Sequence, residues 1–133
     1  MSGATDDESR RAEGMAVRRE VLGTEHVDRA QERTTEFTAG FQDFITRYAW
    51  GEVWSGEGTD RRTRSCLTLA ILAATGCESE FAMHVRAARR NGVEPEQIRE
   101  VLMHVALYAG VPKANSAFAV ADAILSENAD DHG

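Results

Sequence analysis

From Arg62 to Thr75 the chain reads as a helix that is apolar almost all round, and no other stretch constrains the fold as much. After the first turn come Leu67, Leu69, Ala70, Ile71, Leu72, Ala73 and Ala74, which leave no polar face. Such a helix belongs at the centre of a fold or in a subunit interface, because any side left in water exposes apolar surface. Gly76 ends it, and a second helix is expected from Glu78 to Asn91, stopped by Gly92. A third starts at Glu94-Pro95, with proline at the first helical position. Its inward stripe is Ile98, Val101, Leu102, Val105 and Ala109. Gly110-Val111-Pro112 breaks the chain before a last helix from about Pro112 to Ser126.

Upstream, a helix is expected from Ser9 to Leu22, with Gly23 as its stop. Thr24–Thr35 is polar and partly helical in expectation. Phe37, Phe41, Phe44, Ile45 and Tyr48 then recur at helical spacing, predicting an amphipathic helix that ends near Trp50-Gly51. Trp54 to Asp60 reads as a glycine-containing loop ending in N-cap residues. Strand-like alternation and internal repeats are both lacking. The expected fold is an all-α, single-domain bundle of about six helices over residues 14–126, with acidic tails at 1–13 and 127–133. The first tail is expected to be flexible.

A chain of 133 residues can bury one real core. Of its net charge of −7, residues 1–13 carry −2 and residues 121–133 carry −4, leaving −1 on the body. That balance argues against nucleic acid as a partner, since nucleic-acid binders show a basic stripe. It leaves the body open to an anionic ligand, and 14 of the 15 basic residues are arginine, which grips carboxylates bidentately. No window has the apolar length of a membrane span, and the acidic N-terminus lacks the features of a secretory signal. A cytoplasmic protein is expected. Cys66 and Cys77 form no Cys-x-x-Cys pair and read as free thiols; no Cys/His spacing supports a metal site.

The chemistry concentrates between Glu80 and Gly92, which places one imidazole, one carboxylate and three guanidiniums on about three helical turns. Glu80, Phe81, His84 and Ala88 share a stripe expected to face the core. An inward histidine with a carboxylate one turn earlier suggests proton chemistry on a small anion. The same spacing also describes an ordinary (i, i+4) pair. Arg64 opens the most apolar helix, where a guanidinium calls for something anionic. His104 and Tyr108 are four apart and expected to be half-buried, as a binding face or as hydrogen-bonded core polars. Trp54, with Trp50, is core or a pocket wall. Asn115 lies at a helix start, as anion donor or simple cap. Cys77-x-x-Glu80-x-x-x-His84 matches the Cys-x-x-Cys-x-x-x-His frame of helical thiol peroxidases, with Glu80 in place of the second cysteine, so dithiol turnover fails.

Five colinear motifs carry a resemblance: Val21-Leu-Gly-x-x-His-Val-Asp-Arg29, Phe41-Gln-x-x-Ile-Thr-Arg-Tyr-Ala-Trp-Gly51, Arg64-Ser-x-Leu-Thr-Leu69, His84-Val-Arg-Ala-Ala-x-x-Asn-Gly92 and Tyr108-Ala-Gly-Val-Pro-x-Ala-Asn115. Together, over about residues 14 to 125, the chain resembles the carboxymuconolactone decarboxylase family. Ser55–Asp60 departs from it, since the family more often has a basic residue, proline and leucine there. The resemblance implies an alkylhydroperoxidase D-like fold and a homo-oligomer, trimer or hexamer. It also implies cofactor-free decarboxylation of 4-carboxymuconolactone, a lactone dicarboxylate, to 4-oxoadipate enol-lactone in protocatechuate catabolism. On that chemistry His84 is the candidate general acid, with Glu80 orienting it. Arg64, Arg86 and Arg89 are candidate carboxylate clamps, His104, Tyr108 and Asn115 candidate donors to the lactone carbonyl, and Trp54 a wall. The competing readings are a thiol peroxidase or disulfide reductase on the same fold and a non-catalytic helical oligomerisation module.

Overall fold

A computed structural model of the chain describes residues 3–132, with side chains over 6–127. Among the described residues every regular element is helical: α1 (Gly3–Leu22), α2 (Thr24–Arg33), α3 (Ala39–Ile45), a π-helical segment (Thr46–Val53), α4 (Arg61–Thr75), α5 (Glu78–Arg90), α6 (Pro95–Ala109) and α7 (Val111–His132). The all-α reading holds. The elements fall into two compact units that divide between Asp60 and Arg61. Helix extends into both acidic tails, since α1 begins at Gly3 rather than Ser9 and α7 continues to His132. Asp6 in the first turn of α1 suits the positive end of the helix dipole. Residues 1, 2 and 133 of those tails lie outside the described residues.

In the first unit α1 packs along the π segment, and α2 turns back after Gly23, whose φ of +94° suits glycine alone. The aromatic helix does not end at Trp50-Gly51. It passes into π register instead, and Trp54 N–H donates to Ala49 O at 2.8 Å, five residues back. Two glycines allow α1 to approach this segment. A Cβ on Gly14 would run into the carbonyl oxygen of Thr46, and one on Gly51 into that of Arg10. Arg18 is buried here, donating to Thr46 Oγ1 at 3.4 Å and Gln42 Oε1 at 3.2 Å. Asp43 accepts from Arg11 and, at 2.9 Å, from Arg47 Nε. Those hydrogen bonds hold its carboxyl below the usual carboxylate range.

In the second unit α4 packs against α5, α6 and α7. Its Ser65, Leu69 and Ala73 are buried at four-residue spacing, while Leu67 and Ile71 on the other side remain exposed. The core joins Leu69 to Phe81 and Val85 of α5, Ile98 and Leu102 of α6, and Ala117 and Ile124 of α7. Helix α6 starts on Pro95 with a capping box between Glu94 and Gln97. Its inward stripe stops at Val105, and Ala109 is exposed rather than buried. Among the described residues no helix is long and apolar enough to cross a membrane.

Candidate functional site

Helices α4 and α5 form an antiparallel hairpin closed at Gly76 (φ +75°) and Cys77, the N-cap of α5. Its charge order follows the dipole, with Glu78 and Glu80 in the first turn and Arg89 and Arg90 in the last. The buried face of α5 is Phe81, His84, Val85, Ala87 and Ala88. His84 is 8% exposed, and its Nδ1 is shut off from solvent. The expected inward histidine is therefore present.

Glu80 is exposed in the first turn of α5, although by angle around the helix it falls between the buried His84 and Ala87. Arg64 is half-buried in the first turn of α4, its Nε closed off from solvent. Arg86 and Arg89 are both engaged near α5. Arg86 is exposed and pairs with Glu127 of α7 at 3.1 Å. Arg89 donates to Val93 O at 3.0 Å and reaches Glu94 at 3.4 Å, closing the connection to α6.

The half-buried face expected at His104 and Tyr108 is corrected by the structure. Both are exposed, their rings 5.7 Å apart, because the buried stripe of α6 runs through Ile98, Leu102 and Val105 on another side. Asn115 is exposed at the start of the second turn of α7. Trp54 belongs to the first unit, half-buried with its ring 5.2 Å from that of Trp50. His84 and Arg64 are thus brought onto adjacent packed helices; Arg86 and Arg89 have structural partners, and His104, Tyr108 and Asn115 face outward.

Sequence reasoning gave no task to Asn91, yet its Nδ2 donates to the buried Ser65 Oγ at 3.0 Å. The available signal was an asparagine just ahead of the glycine that stops α5. A cavity of about 140 Å³ opens at the closed end of the hairpin beside Glu78, Phe81, Lys113 and Ser116. It is smaller than the ~300 Å³ at which ligand pockets begin, and His84 does not line it. Among the described residues no group of three or more His, Cys, Asp or Glu could hold a metal ion.

The class to which this hairpin belongs emerges from comparison with known proteins. Residues 39–123 match the carboxymuconolactone decarboxylase family. The chain belongs to that family. It is 46% identical to the 4-carboxymuconolactone decarboxylase of Acinetobacter baylyi, over 92% of this chain and 91% of that protein. It is also 40% identical to a nitrosuccinic acid decarboxylase of Metarhizium robertsii, over 97% of this chain and 92% of the relative.

Proposed function

We propose that the protein decarboxylates 4-carboxymuconolactone to 4-oxoadipate enol-lactone and CO2, in protocatechuate catabolism by the β-ketoadipate pathway. The observation that carries this is a buried His84 on α5, packed beside the Arg64-bearing α4, in a chain 46% identical to a 4-carboxymuconolactone decarboxylase over nearly its whole length.

The substrate is a γ-lactone with a carboxylate and an acetate arm on one ring carbon. When the carboxylate leaves as CO2, its bonding pair moves through the ring double bond onto the lactone carbonyl. A furan-like dienolate results. Proton transfer to the carbon α to that carbonyl gives the enol-lactone. The ring accepts the electrons itself, so neither a metal nor pyridoxal is needed for the electron flow. The protein has to stabilise the developing oxyanion, anchor the spare carboxylate and deliver a proton.

In this reading His84 is the general acid, and Glu80 stands one turn earlier at the rim to orient it. Arg64, half-buried on the helix packed beside α5, anchors the acetate carboxylate, and Arg86 and Arg89 remain further candidates for that role. Trp54, His104, Tyr108 and Asn115 remain candidates for substrate contact. The fold is of the alkylhydroperoxidase D-like type, and the working form is a homo-oligomer, trimer or hexamer. Exposed Leu67 and Ile71 on α4 and Met103 and Leu107 on α6 support assembly, since each pair forms an apolar strip at (i, i+4) spacing.

A second substrate is favoured by the Metarhizium relative. Nitrosuccinic acid also carries a carboxylate beside an electron sink, its nitro group, and a carboxymethyl arm on the same carbon. Comparing kcat/KM for the two compounds separates the readings. The lactone is expected to be the better substrate, and preference for nitrosuccinate, or turnover of neither, would remove the proposal.

A further inference from the structure

The reaction above leaves Asn91 unused, yet both its backbone and its side chain are hydrogen-bonded. Its backbone N–H donates to Ala87 O at 2.9 Å and Ala88 O at 3.1 Å, which fixes the residue as the end of α5. From there Nδ2 donates at 3.0 Å to Oγ of Ser65, which is 1% exposed. A hydroxyl buried that deeply needs a partner, and Asn91 supplies one.

The position of this bond matters more than its strength. The hairpin of α4 and α5 is closed covalently at Gly76-Cys77, so Ser65–Asn91 ties its open end. Two helices joined at one end are free to slide and splay at the other, and a single buried hydrogen bond there sets their register. A second tie holds the same turn of α4. Arg62 Nη2 donates to Gln97 Oε1 at 3.0 Å, and that oxygen also accepts the Glu94 N–H at 3.0 Å within the cap of α6. Arg64 lies between the two tied positions. On α5, Asn91 follows His84 by seven residues, about two turns along one face.

We infer that Asn91, acting through Ser65, is a positioning residue for the decarboxylation. It locks the first turn of α4 against α5 and so sets the distance between Arg64 and His84. The inference rests on the proposed roles of those two residues as carboxylate anchor and proton donor. Asn91 itself need touch no substrate.

The test compares wild type with Asn91→Ala, Ser65→Ala and the double variant, reading lactone kinetics and the Arg64 Nε–Hε NMR signal, identified by its loss in Arg64→Lys. Each single change is expected to raise KM about tenfold with a smaller effect on kcat, as misplacement of an anchor does. The double variant should be no worse than the poorer single one, and Asn91→Ala should add little in the Arg64→Lys background. The Arg64 signal should move in both single variants. A role in stability alone would lower the melting temperature and leave KM and the signal unchanged, and that result overturns the inference. Ser65→Ala removes one oxygen and keeps the question answerable if Asn91→Ala fails to fold. Wild-type protein inert towards the lactone, with the Arg64 signal still displaced, would sink the decarboxylase reading and leave the tether standing. Active wild type with an unmoved signal would do the reverse.

Discussion

His84 gains its place from arithmetic along α5. Phe81, His84, Val85, Ala87 and Ala88 are the buried residues of α5, and His84 falls within the arc they span, between Ala88 and Ala87. That burial was legible in the sequence because three apolar neighbours at helical spacing surround the histidine. The exposure of Glu80 was not, since its angle around the helix lies between those of the buried His84 and Ala87, and only its place in the first turn sets it apart. On the proposed chemistry, His84→Ala retains the native assembly and loses about a hundredfold or more in kcat for the lactone, the contribution of a general acid. Full activity in that variant would withdraw the assignment, and Glu80→Gln should cost less than His84→Ala. In the first unit, Asp43 offers a prediction about stability and pH. Its folded-state pKa is lowered by the Arg11 and Arg47 hydrogen bonds, so its contribution is present above the ordinary carboxylate range and disappears as pH falls through the lowered value. Because these groups are partly exposed, Asp43→Asn should lower unfolding stability by only about 0.5–1 kcal/mol at neutral pH. Denaturant titrations at descending pH should show the gap closing; a gap constant down to strong acid would contradict the ion-pair origin.

The helices themselves follow the sequence closely where punctuation is strong. Gly23, Gly76, Gly92 and Gly110 all have positive φ, and each separates two helices where the spacing of apolar residues predicts a break. The π segment escaped prediction, because its register depends on what packs against it rather than on its own residues. Gly14 and Gly51 are the physical cause that could have been suspected, since both stand inside helical stretches where glycine is otherwise costly. Their lack of side chains brings α1 against the Thr46–Val53 backbone. Replacing either by alanine forces a methyl into a carbonyl oxygen, and Gly51→Ala is expected to cost about 1–3 kcal/mol, read as a lower denaturation midpoint. An unchanged midpoint would show that the two elements can part without cost. The outward turn of His104 and Tyr108 has a similar lesson. A helix stripe is readable from sequence, but residues at its border fall inside or outside according to which neighbour covers them.

The apolar character of Arg62–Thr75 left two possibilities, a central helix or an interface, and the structure shows one face of the helix in the core and another exposed. Leu69 and Ala73 go to the core, whereas Leu67 and Ile71 stay 54% and 61% exposed. Met103 and Leu107 on α6 are likewise 54% and 70% exposed. Surface of this kind is covered in a working homo-oligomer, the state proposed here. Leu67→Glu combined with Ile71→Lys should therefore yield a lower oligomer in light scattering, without loss of helix by circular dichroism. An unchanged mass would show that this face is not the one covered. The reaction itself is tested most directly by incubating the wild-type protein with 4-carboxymuconolactone in heavy water and following both products. Cofactor-free decarboxylation predicts one CO2 per lactone consumed and one deuteron on the enol-lactone carbon α to the carbonyl. Recovery of the lactone intact, without CO2, would contradict it.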